Sequence, residues 1–209
     1  MIRVERLRKS YGGNTVIDDL SFTVNDGEKC ALIAPSGCGK TTLLRLIAQL
    51  ERPDAGSIKV TGGISYIFQE PRLFPGFTVL QNVAAVLSGR DAAKKAKSIL
   101  EKVGLGGDLA KYPGELSGGM AQRTALARAL AADREILLAD EPFKALDDRA
   151  KDELYALLEE TAKGKTLLLV THDAAEARRL CSRILSFERG MRPVADENGV
   201  NEPNTFFEL

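Results

Sequence analysis

The 209-residue chain holds one histidine and three cysteines, and no apolar run near the ~18 residues that a membrane-crossing helix requires. It therefore carries no helical membrane span, and its first residues, Met1-Ile2-Arg3-Val4-Glu5, lack the apolar stretch of a secretory signal. The cysteines, Cys30, Cys38 and Cys181, are odd in number, scattered and never at metal-ligand spacing. They read most simply as free thiols in a reducing cytosol. Charge of either sign in excess is also missing: Lys plus Arg and Asp plus Glu are 29 each, so no bulk attraction to nucleic acid or anionic lipid is implied. There is no internal repeat and no low-complexity segment. What remains, 44% hydrophobic and 28% charged, is ordinary for one globular domain with a proper core.

What is present is organised around Ala34-Pro35-Ser36-Gly37-Cys38-Gly39-Lys40-Thr41-Thr42. An apolar run, 30–34, precedes it and reads as a buried strand; an amphipathic run, 43–48, follows and reads as a helix. A small-residue loop between strand and helix lets backbone N–H groups converge on a phosphate. Lys40 can reach the outer phosphates, and the Thr41 hydroxyl is placed to ligate Mg²⁺. The pattern is a P-loop with Ala34 in place of its first glycine. A Cβ is unstrained there only at negative φ, so an extended Ala34 is expected. Cys38 reads as small-residue packing, with a reactive thiol as the alternative.

Strands are expected at 2–7 and 16–24, with a turn at Tyr11-Gly12-Gly13-Asn14 and a hairpin signal at Asn25-Asp26-Gly27. Short strands at 57–60 and 64–68 flank Gly62-Gly63. Helical spacing then runs through 78–87, 91–103 and 119–131, with Lys94, Lys95 and Lys97 on a face read as solvated. The α/β pattern returns with buried strands at 136–139 and 167–170, a final strand at 183–187, and helices at 147–163 and 174–180. The tail from Pro193 is polar and expected to pack loosely.

Strand 136–139 ends in Asp140-Glu141, and strand alternation is expected to send the two carboxylates in different directions. Asp140 can hold the Mg²⁺ shell and Glu141 can face an attacking water as general base. Ser117-Gly118-Gly119 reads as a capped, glycine-opened helix start. Such a start is also an anion site. A chain that already owns a P-loop has no use for a second phosphate site of its own, but could offer one to a partner's nucleotide.

These stretches, in this order, resemble the ATPase subunit of an ABC transporter over nearly the whole chain. The resemblance implies a single domain, 1–209: an α/β, P-loop NTPase (RecA-like) core with an N-terminal antiparallel β-subdomain, about 1–70 and 132–209, and an inserted α-helical subdomain, about 71–131. It implies ATP and Mg²⁺ as ligands. Tyr11 matches the residue that stacks on adenine, with Val16 beside it on the nucleotide side, and Ala34 to Thr42 match the P-loop. Gln69 matches the glutamine that touches both Mg²⁺ and the water. Ser117, Gly118 and Gly119 match the signature motif; Asp140 and Glu141 match the Mg²⁺ aspartate and the catalytic glutamate. Ala145-Leu146-Asp147 matches the D-loop, and His172 the switch histidine at the γ-phosphate.

The resemblance further implies two identical copies, head to tail, each ATP lying between one P-loop and the other copy's signature residues. It also implies a separate transmembrane permease, an extracytoplasmic solute-binding protein and a peripheral place on the cytoplasmic side of a bacterial membrane, with no nucleic acid. The strings 69–75 and 140–143 are similar to importers of the nitrate/sulfonate/taurine group. Residues 68–75 would face the permease, with Leu73 and Phe74 equally readable as core. Lys144 departs from the small residue usual before Ala145, leaving repulsion or an acidic partner at a dimer seam as alternatives. The C-terminal regulatory domain of some sugar importers is not expected. Two rivals remain: a soluble ABC ATPase, which usually has two cassettes or a long coiled coil, and a nucleotide-gated module that does not hydrolyse.

Overall fold

The computed structural model describes residues 1–144, 146–187 and 191. In chain order the elements are β1 (Ile2–Tyr11), β2 (Asn14–Val24), β3 (Lys29–Ile33), α1 (Lys40–Ile47), β4 (Ala55–Val60), β5 (Ile64–Ile67), α2 (Val79–Ala84), α3 (Ala92–Lys102) and α4 (Gly118–Ala131). There follow β6 (Ile136–Asp140), α5 (Asp148–Thr161), β7 (Thr166–Thr171), α6 (Ala174–Leu180) and β8 (Arg183–Ser186). An antiparallel sheet has the order β2-β1-β4, and a five-stranded sheet the order β5-β6-β7-β3-β8 with every pair parallel.

The continuous apolar runs of β3, β6 and β7 are buried on both faces, as a covered parallel sheet demands. Alternate residues divide between two cores. Cys30, Leu32, Ile136, Leu138, Leu168 and Val170 join α1 and the antiparallel sheet. Ala31, Leu137, Ala139, Leu167 and Leu169 join the helices α2 to α6. Helices α2, α3 and α4 pack on one another, and α4 also lies on β5.

In β1 the buried residues fall at Ile2, Val4 and Leu7, a spacing of two and then three. The extra residue is a bulge at Glu5–Arg6, where Arg6 takes φ 45 and both pairings of β1 lose register. Gly56 of β4 sits against this bulge at φ 85, with the backbone oxygens of Arg6 and Glu5 where its Cβ would be.

Two expectations need correcting. Asn25-Asp26-Gly27 does turn the chain, closed by Glu28 N–H donating to Asn25 O at 3.2 Å, but it makes no hairpin. It carries the chain from the antiparallel sheet to the parallel one, because β3 pairs with β7 and β8 instead of β2. The two short strands expected around Gly62-Gly63 are present, β4 in the antiparallel sheet and β5 in the parallel one. Helix α1 begins at Lys40, within the P-loop motif, earlier than its apolar periodicity suggests. The tail from Pro193 lies outside the described residues.

Gly56→Ala should destabilise the protein by about 2–4 kcal/mol, since both the left-handed φ and rigid backbone atoms oppose the new methyl. Denaturant unfolding of the two proteins measures it; an unchanged midpoint would contradict the close approach.

Candidate active site

The parallel register places the functional turns side by side. Ile33 of β3 pairs with Thr171 of β7, and Asp140 of β6 with Val170. The P-loop, the Asp140-Glu141 turn and the His172 turn therefore leave the same sheet end, where ligands of open parallel sheets bind.

Within the P-loop, Gly37 and Gly39 adopt φ 76 and 108. A Cβ on Gly39 would lie 2.7 Å from Val16 Cγ1 and 3.1 Å from Val16 O, so the loop needs glycine there for both conformation and space. Ala34 is absent from the positive-φ residues, so its methyl brings no left-handed strain. Gly39 caps α1 without a side-chain bond, and the first turn has no acidic residue. The helix's first N–H groups thus face the loop as a positive end. Lys40, 6% exposed, folds back so that Nζ donates to Ala34 O at 2.6 Å and Pro35 O at 3.0 Å.

Thr41 Oγ1 donates to Asp140 Oδ2 at 2.7 Å. Asp140 is 2% exposed. Burial pushes its carboxyl above the usual 3.8 and the Glu141 charge adds to that; the Thr41 hydrogen bond, Lys40 and Arg45 pull the other way. A hydroxyl and a buried carboxylate are the hard oxygen donors that Mg²⁺ takes when phosphates supply the rest of its shell. Among the described residues no group of three His, Cys, Asp or Glu side chains could hold a metal by itself, so the two residues fit Mg²⁺ bound together with a nucleotide.

Glu141 lies one residue beyond β6 at φ 44, its N–H donating to Val170 O at 2.8 Å. Its direction therefore comes from this turn, whereas the sequence suggested simple strand alternation. The carboxylate is nearly buried; His172 Nδ1 lies 3.4 Å from Oε1, and Lys144 Nζ 3.1 Å from Oε2. Among the described residues Oε2 has no hydrogen-bond partner, so the Lys144 contact is an ion pair without hydrogen-bond direction.

Beneath these turns lies a buried polar scaffold. Thr171 Oγ1 donates to Glu176 at 2.7 Å and accepts from Asp173 N–H at 3.0 Å. The Tyr155 hydroxyl donates to Glu176 at 3.2 Å, and the Tyr155 ring meets Phe143 edge-on at 4.7 Å. Burial and the Glu176 charge push the Tyr155 hydroxyl well above its ordinary pKa. Gln122 of α4 is buried and donates to Pro142 O at 3.0 Å, joining the signature helix to the residue after Glu141. Sequence reasoning missed Tyr155, Glu176 and Gln122. The Asp173-to-Glu176 spacing at a helix start and a glutamine among the alanines and leucines of α4 were the available signals.

A cavity of about 410 Å³ collects Tyr11, Val16, Ser36, Gly37, Gly39, Lys40, Thr41, Thr42, Gln69, Glu141 and Lys144. All but Lys144 were expected at a nucleotide. The Tyr11 ring is half-exposed and its hydroxyl donates to Glu51. Ala34, Pro35 and Cys38 belong to the loop without lining the cavity, and Asp140 lies behind Thr41. Cys38 is buried with Sγ 3.8 Å from Met191 Sδ, which favours the packing reading over the reactive one. Ser117, Gly118, Gly119 and Asp147 do not line it either. Ser117 and Asp147 are exposed helix caps, accepting from Met120 N–H at 3.3 Å and Ala150 N–H at 2.8 Å. Ala145, the first residue of the D-loop string, lies outside the described residues. Phe74 is surface rather than core: it is 49% exposed, beside Phe77 and under the Arg128 guanidinium.

The profile of the family described as ABC transporter matches residues 17–144. The chain belongs to that family. The cassette is 45% identical over 195 residues to the aliphatic sulfonates import ATP-binding protein SsuB 2 of Pseudomonas syringae pv. tomato, covering 92% of this chain and 82% of that protein. It is 41% identical to the sulfate/thiosulfate import ATP-binding protein CysA 2 of Chromobacterium violaceum, covering 90% of this chain and 56% of that one. Among solved structures, the dimeric post-hydrolysis state of the ATP-binding cassette MJ0796 bound to ADP and Pi superposes with a TM-score of 0.85 at 30% identity, covering 91% of this chain and 95% of that one. The expectation of an ABC-type P-loop fold is met.

The raised Asp140 carboxyl gives a pH signature. A carboxyl with a raised folded-state pKa favours the fold fully below its free value, 3.8, and loses that contribution as pH climbs through the raised value. In Mg²⁺-free buffer at neutral pH, Asp140→Asn should therefore melt above the parent cassette, the gap closing as pH falls toward 3.8. Calorimetry across pH checks this; a variant that melts lower at neutral pH contradicts it.

Proposed function

We propose that this cassette is the ATP-hydrolysing subunit of a bacterial ABC importer, working as a closed pair of identical copies. One observation carries the reading. The cavity joins the P-loop to Glu141 and Gln69, while Ser117, Gly118 and Gly119 stand outside it on the exposed start of α4. Each copy then owns the hydrolytic half of a reaction centre and lends its anion-binding glycines to the other, under two-fold symmetry.

The P-loop amides and Lys40 cradle the phosphates of ATP, and Tyr11 with Val16 receives the base. Thr41, Asp140 and Gln69 would hold Mg²⁺, which when bound neutralises phosphate charge and lowers the barrier to displacement. Glu141 takes the proton of the attacking water, which displaces ADP and leaves inorganic phosphate. His172, 3.4 Å from Glu141, contacts the terminal phosphate and orients the carboxylate. The partner's copies of the signature glycines complete the clamp and exclude water. The Asp147 turn meets the partner at the seam. The division into a core, about 1–70 and 132–209, and a helical block, about 71–131, is part of the same reading; it is supported by the mutual packing of α2, α3 and α4.

No helix among the described residues is long and apolar enough to cross a membrane; in this reading a separate permease carries the solute. The exposed Phe74 and Phe77, on a loop held by Asn82 through bonds to Phe74, Phe77 and Thr78, offer it an apolar seat on the cytoplasmic side. A sulfonate-like solute, delivered by an extracytoplasmic binding protein, follows from the names of the relatives and of the nitrate/sulfonate/taurine group.

Glu141→Gln should lower phosphate release at least 100-fold and accumulate an ATP-filled dimer, read by size-exclusion chromatography with Mg²⁺-ATP. The parent cassette should lose turnover per subunit on dilution below its dimerisation range. Turnover that stays flat while scattering shows dissociated chains, or a Glu141→Gln protein with normal turnover, overturns the shared centre.

A further inference from the structure

Lys144 lines the nucleotide cavity although sequence reasoning had placed it only at a dimer seam. Its Nζ lies 3.1 Å from Glu141 Oε2, its side chain is 56% exposed, and its ion pair lacks hydrogen-bond direction. The ammonium is held to Glu141 by charge on a long, adaptable stem. Resting on the hydrolytic role proposed for Glu141, geometry fixes what else it can reach. The water that Glu141 activates must lie between that carboxylate and the terminal phosphate. A cation within 3.1 Å of the carboxylate is thus within one side-chain swing of that phosphate's oxygens. A diphosphate ends one phosphoryl group short of this position and nearer to Lys40, whose Nζ is anchored at the other end of the loop on Ala34 O and Pro35 O.

We infer that Lys144 is a specificity residue that makes the cavity prefer nucleoside triphosphate to nucleoside diphosphate, by placing a second cation between Glu141 and the terminal phosphate. Without it, the terminal phosphate and the nearly buried Glu141 carboxylate confront each other as like charges. With it, the two anions share one ammonium. The side chain acts at the phosphate and needs no change in the fold.

The test compares parent cassette, Lys144→Met, which keeps the stem, and Lys144→Arg, which keeps the charge. Affinities for a non-hydrolysable ATP analogue and for ADP are measured by calorimetry with Mg²⁺, at protein concentrations where light scattering shows monomer. Lys144→Met should weaken the ATP analogue about three- to tenfold and leave ADP within twofold, while Lys144→Arg should keep the parent ratio. A ratio unchanged in Lys144→Met, or lost equally in Lys144→Arg, overturns the inference. Lys40→Ala is the control: if it binds both nucleotides as tightly as the parent, the cavity itself has been misread, which is a different failure. Thermal melting of each variant checks folding, and Lys144→Gln replaces Lys144→Met should the latter not fold.

Discussion

One hydrogen bond, Thr41 Oγ1 to Asp140 Oδ2 at 2.7 Å, closes the site across ninety-nine residues of sequence. It fastens the first turn of α1 to the end of β6 and so fixes how far the P-loop stands from the Asp140-Glu141 turn. Everything else in the cavity is measured from that joint. Parallel pairing makes the joint possible, because in-register β3, β7 and β6 end at one level. Their two-faced burial gives the sheet no freedom to slip, since a slip of one residue would exchange the two cores.

The floor and the front of the site are built differently. Below it, Glu176 receives Thr171 and Tyr155, and Tyr155 meets Phe143, so the His172 turn and the Glu141 turn rest on one buried network. Satisfied polar groups in a low-dielectric interior hold geometry more firmly than apolar packing alone. In front, the groups are exposed: His172, Lys144, Ser117 and Asp147. Rigid support with an open face is what a site completed by another surface requires. The link from Gln122 to Pro142 also means that the exposed start of α4 belongs to a helix bonded to the residue after Glu141.

Most of this was legible in the sequence because the site is made of local devices. Gly37, Gly39 and Lys40 act through the conformation of their own loop, and a strand of continuous apolar residues ending in Asp140 announces a buried parallel edge. The site's long-range partners were not legible. Nothing in the string 140–144 says that Lys144 turns back on Glu141 instead of outward, since that depends on the left-handed φ of Glu141. Asn25-Asp26-Gly27 has the residues of a hairpin turn, and only the competing parallel partners of β3 send it to another sheet. The bulge at Arg6, by contrast, can be read in hindsight from the three-residue gap between Val4 and Leu7.

The left-handed φ of Glu141 ties the structure to the proposed mechanism. A glutamate at φ 44 costs on the order of 1–2 kcal/mol relative to ordinary backbone. The fold maintains it by giving its N–H to Val170 O and by burying Phe143 two residues on. Had the chain simply continued β6, Glu141 would have alternated away from Asp140 across the sheet. The turn instead sets one carboxylate behind Thr41 and the other at the cavity wall, each held by its own surroundings. Two neighbouring acids therefore meet different surroundings: one is enclosed with a hydroxyl, and the other faces Lys144 and His172 at the cavity wall. Adjacency in sequence becomes a difference in setting only through that strained residue.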